Sequence, residues 1–216
     1  MRTRSSTFYL IAAISGVAAP ALFTLLSVIT ASLWPGFDPV HRAISQLALA
    51  PYGGIQTAAF YLFSILGMLF IVGFYFNIQR HKLLRFSITL LFLCTFGFLL
   101  IGIFPTIPEG SAITLRALIH HITTLAIAIT FPFGCFLIAP SLKHDPRWKN
   151  LFIYTIAAGV LGIILNVIGG VMVVTHWQES WLGLYERITA GNPLVWLEVM
   201  AIRLLLLLIH EKKTKS

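Results

Sequence analysis

Six long apolar stretches make up most of this chain, and they restrict it to folds that a lipid bilayer can solvate. A helix that crosses the hydrocarbon core needs about 20 mostly apolar residues, because its backbone polar groups must be bonded within the helix. Hydrophobic residues form 58% of the sequence and charged residues 10%, a balance that is typical of a membrane protein. The connections are too short for another domain. We therefore predict an all-α integral membrane protein with one six-helix domain over residues 1–216. The predicted spans cover approximately residues 8–33, 54–78, 84–104, 113–139, 151–175 and 193–209.

The net charge of +8 is explained by the distribution of basic residues along the six spans. Most of them flank one side, which the positive-inside rule identifies as cytoplasmic. Both termini and the loops at 79–83 and 140–150 then lie in the cytoplasm. Such a fringe attracts anionic lipid, so we expect membrane lipid as a partner and no nucleic acid. The basic residues on this side are Arg2, Arg4, Arg80, Lys82, Arg85, Lys143, Arg147, Lys149, Lys212, Lys213 and Lys215.

The first connection on the opposite, outer side carries a group of polar side chains. Asp38 followed by Pro39 is typical of a helix start, and the apolar residues that follow recur at helical spacing. This pattern predicts a short helix lying in the interface. In that helix His41 shares a face with Ser45, and Asp38 shares one with Arg42. Two interpretations stay open: capping and surface solvation, or a Ser45 nucleophile activated by a histidine.

The start of the fourth span contains Arg116, His120 and His121. Arg116 and His120 lie on one helical face, whereas His121 points about 100° away. His120 lies inside the span, where an ionisable side chain indicates a function or a buried partner. A general base, a proton relay, a lipid-headgroup site and an interhelical hydrogen bond are all compatible with it.

The last outer connection predicts a second interfacial helix, because Trp177, Trp181, Leu184, Tyr185 and Ile188 fall on one helical stripe. Charged residues in this segment could pair with the other outer loops. The expected pairs are Glu186 with Arg42 or Arg116, and Arg187 with Asp38.

Glu198 lies within the sixth predicted span. An unpaired carboxylate at that depth is strongly disfavoured, so we expect it to face the bundle interior and to find a cation or be protonated. Arg116 is the first candidate partner.

Common signatures of enzymes are absent from the sequence, including phosphate-binding glycine loops, zinc-binding His-Glu-x-x-His helices and Gly-x-Ser-x-Gly elbows. His41, His120 and His176 could together hold a metal or haem, but their spacing does not require it. We predict no metal site, and the sequence does not define a cofactor.

Several short motifs in a fixed order resemble a known family. They are Pro35-Gly36-Phe37-Asp38-Pro39, Ile44-Ser45-Gln46-Leu47, Gly102-Ile103-Phe104-Pro105-Thr106, His120 and Glu186-Arg187. Together they resemble the prokaryotic membrane family called domain of unknown function 998, from the first span to Arg203. One departure is Ile107, where the resemblance implies an acidic residue and this chain supplies Glu109 instead. The resemblance implies six spans and a prokaryotic cell (inner) membrane, and it implies no established activity.

We predict that the three outer segments form a polar pocket that binds a lipid or small amphiphile. Two alternatives to simple binding remain, besides a purely structural or accessory role. One is an intramembrane lipid hydrolase or transferase with Ser45 and His120 as catalytic residues. The other is a small transporter in which Glu198 and His120 change protonation. The predicted ligand-binding residues are Asp38, His41, Arg42, Arg116, His121, Glu186, Arg187 and Glu198.

Overall fold

The computed structural model describes residues 6–108, 111–112, 114–175 and 178–213, and these residues form helices and connections without a β-strand. Six helices are long and apolar enough to cross a membrane, which confirms the predicted fold class. The cytoplasmic position of the termini stays a prediction. The helices are α1 (Ser6–Ser32), α2 (Gly53–Asn77), α3 (Leu84–Ile103), α4 (Leu115–His144), α5 (Phe152–Thr175) and α6 (Gln178–Lys213).

The helices form a closed bundle, in which each packs on its neighbour in sequence and α6 returns to pack on α1. Small residues allow the closest approaches. A methyl group added at Gly16 would lie 2.5 Å from the Cβ of Ala201, and one added at Gly73 would lie 2.2 Å from the Cβ of Ala12. Membrane helices associate through such close packing, because lipid offers no hydrophobic force to drive helices together.

The first outer connection forms the predicted short helix only in part, and the position of this helix in the interface stays a prediction. Its beginning is a turn in which the Arg42 N–H donates to the Asp38 carbonyl, and a short 3-10 helix, Ser45–Leu49, follows. The predicted helix start at Asp38 was wrong, because the turn bonds to α6, a tertiary contact that helical spacing does not contain. We call residues 33–52 the outer strap, and the bundle end that it covers the outer end.

Two helix boundaries also differ from the predictions. From Gln178 onward, the stretch predicted as a second interfacial helix continues without a break into the sixth span, so α6 is one helix of 36 residues. Trp177 of that stretch lies outside the described residues. At 1.5 Å per residue it is about 54 Å long, well beyond the roughly 30 Å of the hydrocarbon core. Pro193 lies inside this helix and leaves the Thr189 carbonyl without its helical donor. Helix α4 similarly continues through Pro140 to His144.

A buried carboxylate organises the opposite end of the bundle. Asp145 accepts hydrogen bonds from the Gln79 N–H at 3.0 Å and from the Arg147 guanidinium at 2.8 and 3.1 Å. Arg203 of α6 donates to the Arg147 carbonyl at 2.6 and 2.9 Å. Burial raises the pKa of Asp145, but the hydrogen bonds from Arg147 and Gln79 outweigh it and hold the pKa below its usual value. This network ties the α2–α3 and α4–α5 connections to α6.

Candidate functional site: a cavity near the outer end

A cavity of about 130 Å³ lies among the 3-10 helix and helices α2, α3, α4, α5 and α6. Its wall is mostly apolar, with Phe98, Ile127, Phe131 and Leu165 among its residues. A cavity of roughly 150 Å³ can bind benzene, so this one suits an aromatic ring or a short alkyl segment. The polar side chains in its wall are Ser45, Thr124, Asn166, Tyr185, Glu186, Thr189 and Asn192.

Glu186 joins this cavity to the outer strap. Its Oε2 accepts a hydrogen bond from the Ser45 N–H at 3.2 Å, and the carboxylate also interacts with the Ser45 side chain and the Ile44 N–H. These N–H groups belong to the start of the 3-10 helix, where backbone donors lack helical partners and an acidic group is favourable. Among the lining residues of the described chain, Glu186 is the only carboxylate, and none is a lysine, arginine or histidine.

A glycine and an arginine hold the strap directly on α6. Gly183 has no side chain to separate the backbones, and a Cβ there would lie 2.3 Å from the Arg42 carbonyl oxygen and 2.5 Å from that of Pro39. Arg187 donates to the same two carbonyl oxygens at 2.8 Å. The Leu184 N–H donates to the Val40 carbonyl at 3.0 Å. Arg187 is thus engaged by the strap, while its neighbour Glu186 lines the cavity.

Asn166 of α5 compensates for a proline in α4. Pro132 has no N–H, so the carbonyl of Ala128, four residues earlier, loses its helical donor. The Asn166 Nδ2 donates to this carbonyl at 2.8 Å. Since a carbonyl only accepts, the contact identifies the amide nitrogen, and the Asn166 Oδ1 is left as an acceptor.

Asn192 and Tyr185 tie α6 to α5 in a similar way. The Asn192 Nδ2 donates to the Ala158 carbonyl at 2.9 Å, and the Tyr185 hydroxyl donates to the Leu165 carbonyl at 3.1 Å. Gly169 makes room for the tyrosine, because a Cβ there would lie 2.1 Å from the tyrosine oxygen. Each of these side chains therefore donates to a backbone carbonyl and retains an acceptor oxygen, and Asn192 also retains a second amide N–H.

Thr189 has two oxygen atoms without an evident donor. Its buried side-chain Oγ1 has no hydrogen-bond partner in the part of the chain that the structure describes. Its carbonyl lies four residues before Pro193, which has no N–H to donate to it. Both residues line the cavity, so Thr189 contributes to this wall a hydroxyl that can donate or accept and a carbonyl that lacks its usual helical donor.

The predicted site residues of the first outer segment do not converge on one site. The Asp38 carboxylate accepts from the Val40 N–H at 2.8 Å and contacts the His41 Nδ1 at 2.7 Å, and these bonds lower the pKa of Asp38. Both side chains are about half exposed. Arg42 instead lies over the Trp34 ring, 4.8 Å from its centroid. Of this segment's predicted site residues, only Ser45 lines the cavity.

The predicted residues of α4 do not line the cavity. Arg116 and His121 are exposed, whereas His120 is buried with 4% of its surface accessible. The His120 Nδ1 lies 2.9 Å from the Phe104 carbonyl oxygen and therefore donates to it, closing the end of α3. Across the described residues, no hydrogen bond joins His120 to Ser45.

Neither of the predicted acid–base pairs with Arg116 is present. Within the described part of the chain, neither Glu186 nor Glu198 forms a salt bridge, and Glu198 is half-buried. The physical reason is the helix order: α6 packs on α1 and α5, whereas Arg116 begins α4. No group of three metal-ligating side chains occurs among the described residues, and His176 lies outside them.

Four polar lining residues were not singled out from the sequence: Thr124, Asn166, Thr189 and Asn192. Tyr185 was predicted only as part of an interfacial helix. Asn166 carried a usable signal, because an amide in an otherwise apolar span suggests a buried partner. The prolines at 132 and 193 carried another, since each frees a carbonyl four residues earlier.

Six spanning helices around this cavity define a multi-pass membrane protein. The family model described as protein of unknown function (DUF998) matches residues 17–203, and the chain belongs to that family. No curated protein and no solved structure matches the chain.

Proposed function

We propose that this protein binds a small amphiphile, or the end of a lipid, in the cavity near the outer end. The observation that carries the proposal is an apolar space of about 130 Å³ with Glu186, Ser45 and the unpartnered Thr189 hydroxyl in its wall. An apolar pocket with a few polar groups is the usual form of a small-molecule site. The apolar wall would hold a ring or alkyl segment, and the polar groups would orient it.

The position of the cavity also favours a ligand that arrives through the bilayer. Thr124 of the cavity wall is exposed on α4, and Ala128 and Asn166 beside it are half exposed. The cavity thus opens on the lateral surface of the bundle, which the apolar helices indicate is in contact with lipid. An amphiphile dissolved in the membrane would reach it directly.

Native mass spectrometry of the gently purified protein tests this proposal, with two matched variants. Ala190→Phe places a ring in the cavity, because Ala190 lines it. Ala126→Phe makes the same change on the exposed surface of α4. We expect the wild type and Ala126→Phe to carry a bound lipid or amphiphile that Ala190→Phe lacks. An adduct retained by all three proteins contradicts binding in the cavity.

A further inference from the structure

The ligand chemistry of this cavity follows from which hydrogen-bonding groups its wall leaves free. We propose that the polar end of the ligand is a protonated amine that pairs with Glu186. This inference rests on the proposed function and names the class of molecule that the cavity selects.

The first observation is the charge of the wall. Glu186 is the only acidic side chain, and no basic side chain occurs, among the lining residues that the structure describes. The nearest cation in sequence, Arg187, donates to the carbonyls of Pro39, Arg42 and Gly183. A carboxylate beside an apolar space is costly to leave without a counter-ion. A ligand cation would supply one.

The second observation is the balance of donors and acceptors. The amide nitrogens of Asn166 and Asn192 and the hydroxyl hydrogen of Tyr185 are already bonded to backbone carbonyls. Each of these side chains keeps an acceptor oxygen, and each asparagine also keeps a second amide N–H. In addition, Pro193 leaves the Thr189 carbonyl without its helical donor. The wall therefore offers several acceptor oxygens besides the Glu186 carboxylate, and its remaining donors include the second amide N–H groups and the Thr189 hydroxyl.

An ammonium group is complementary to such a wall, because it carries three donors, no acceptor and a positive charge. A hydroxyl can donate only one hydrogen bond and brings no charge. A carboxylate has no donor and would be repelled by Glu186. The cavity size limits the rest of the molecule to about one ring or a short chain, by comparison with cavities that bind benzene.

Three probes of nearly equal shape separate these possibilities: benzylamine, benzyl alcohol and benzoate. Binding of each is measured by equilibrium dialysis against the protein in detergent micelles, with empty micelles to subtract partitioning. We expect wild-type protein to bind benzylamine about tenfold more tightly than benzyl alcohol, since charge-assisted hydrogen bonds are the stronger ones. Benzoate should bind most weakly. This ranking needs no variant, so it tests the inference even if a substitution prevents folding.

Glu186→Gln removes the charge while keeping the shape of the side chain. We expect it to weaken benzylamine binding about tenfold and to change benzyl alcohol binding little. Glu198→Gln is the matched control, because Glu198 belongs to the same helix and does not line the cavity. It should leave all three affinities unchanged.

The possible failures are distinguishable. Equal binding of benzylamine and benzyl alcohol, or a preference for benzoate, overturns the amine inference and leaves the cavity as a binding site. A preference for benzylamine that survives Glu186→Gln overturns the role of Glu186. If the wild type binds none of the probes and carries no adduct in native mass spectrometry, the proposed function itself is wrong.

Discussion

A single glycine decides whether the outer strap can lie on α6. At Gly183 the backbone carbonyls of Pro39 and Arg42 come so close that any side chain would collide with them. These atoms belong to the main chain, so they cannot move aside as the tip of a flexible side chain would. The nearby bonds from Arg187 and Leu184 depend on the same close approach.

Gly183→Ala should therefore destabilise the folded protein, by about 1–3 kcal/mol, as overpacking typically does. Thermal or denaturant unfolding in detergent measures the change. Gly191→Ala in the same helix is the control, because a methyl group there meets nothing within 4 Å. Alanine is the better helix former by about 1 kcal/mol, so this variant should be neutral or slightly stabilised. Equal effects of the two substitutions would contradict the contact between strap and helix.

At the scale of the elements, proline and asparagine act together across the bundle. Pro132 in α4 leaves the Ala128 carbonyl without a donor, and Asn166 in α5 provides one. This hydrogen bond links α5 to α4. The Asn166 Oδ1 takes no part in it and can accept a hydrogen bond from another donor. A comparable contact between Asn192 and Ala158 fastens α6 to α5.

A double-mutant cycle tests this pairing. Asn166→Leu alone should cost about 1–3 kcal/mol, because it leaves the Ala128 carbonyl unsatisfied. Pro132→Ala restores the N–H that bonds this carbonyl within α4, so Asn166→Leu should cost about 1 kcal/mol less in that background. Unfolding free energies of the wild type, both single variants and the double variant give the coupling. If the two costs are simply additive, Asn166 does not serve the carbonyl that Pro132 frees.

The connections were harder to predict than the spans, for a reason that the outer strap shows. Its apolar spacing suits an α-helix, yet a turn and a 3-10 helix form because Glu186 and Arg187 of α6 bond to its backbone. The partner residues are about 140 positions away in the chain, as the separation of 141 between Ser45 and Glu186 illustrates. Local periodicity contains no information on such contacts.

The orientation of the whole molecule is a separate prediction, based on the distribution of basic residues. Both native cysteines, Cys94 and Cys135, are buried, so an introduced cysteine can be labelled against a low background. Ser111 and Lys149 are exposed and lie at opposite ends of the bundle.

A membrane-impermeant maleimide applied to intact cells should label Ser111→Cys, and it should reach Lys149→Cys only after the cells are permeabilised. The positive-inside rule places Lys149 in the cytoplasm, where the reagent cannot arrive through an intact membrane. The reverse pattern would show that the predicted orientation is wrong. It would leave the cavity and its chemistry as described and would change only the side from which they are approached.

The sequence by itself determined the six spans, because an apolar segment in a bilayer must hydrogen-bond its own backbone N–H and C=O groups, which a helix does. It also identified Ser45 and Glu186 as candidate site residues, since burying a polar side chain near the membrane costs free energy and therefore indicates a function or a partner. Only the tertiary structure decided that these two residues meet at a cavity, whereas Arg116, His121 and Glu198 lie elsewhere. The order in which the helices pack sets which residues become neighbours. That order depends on close packing between small residues of separate helices.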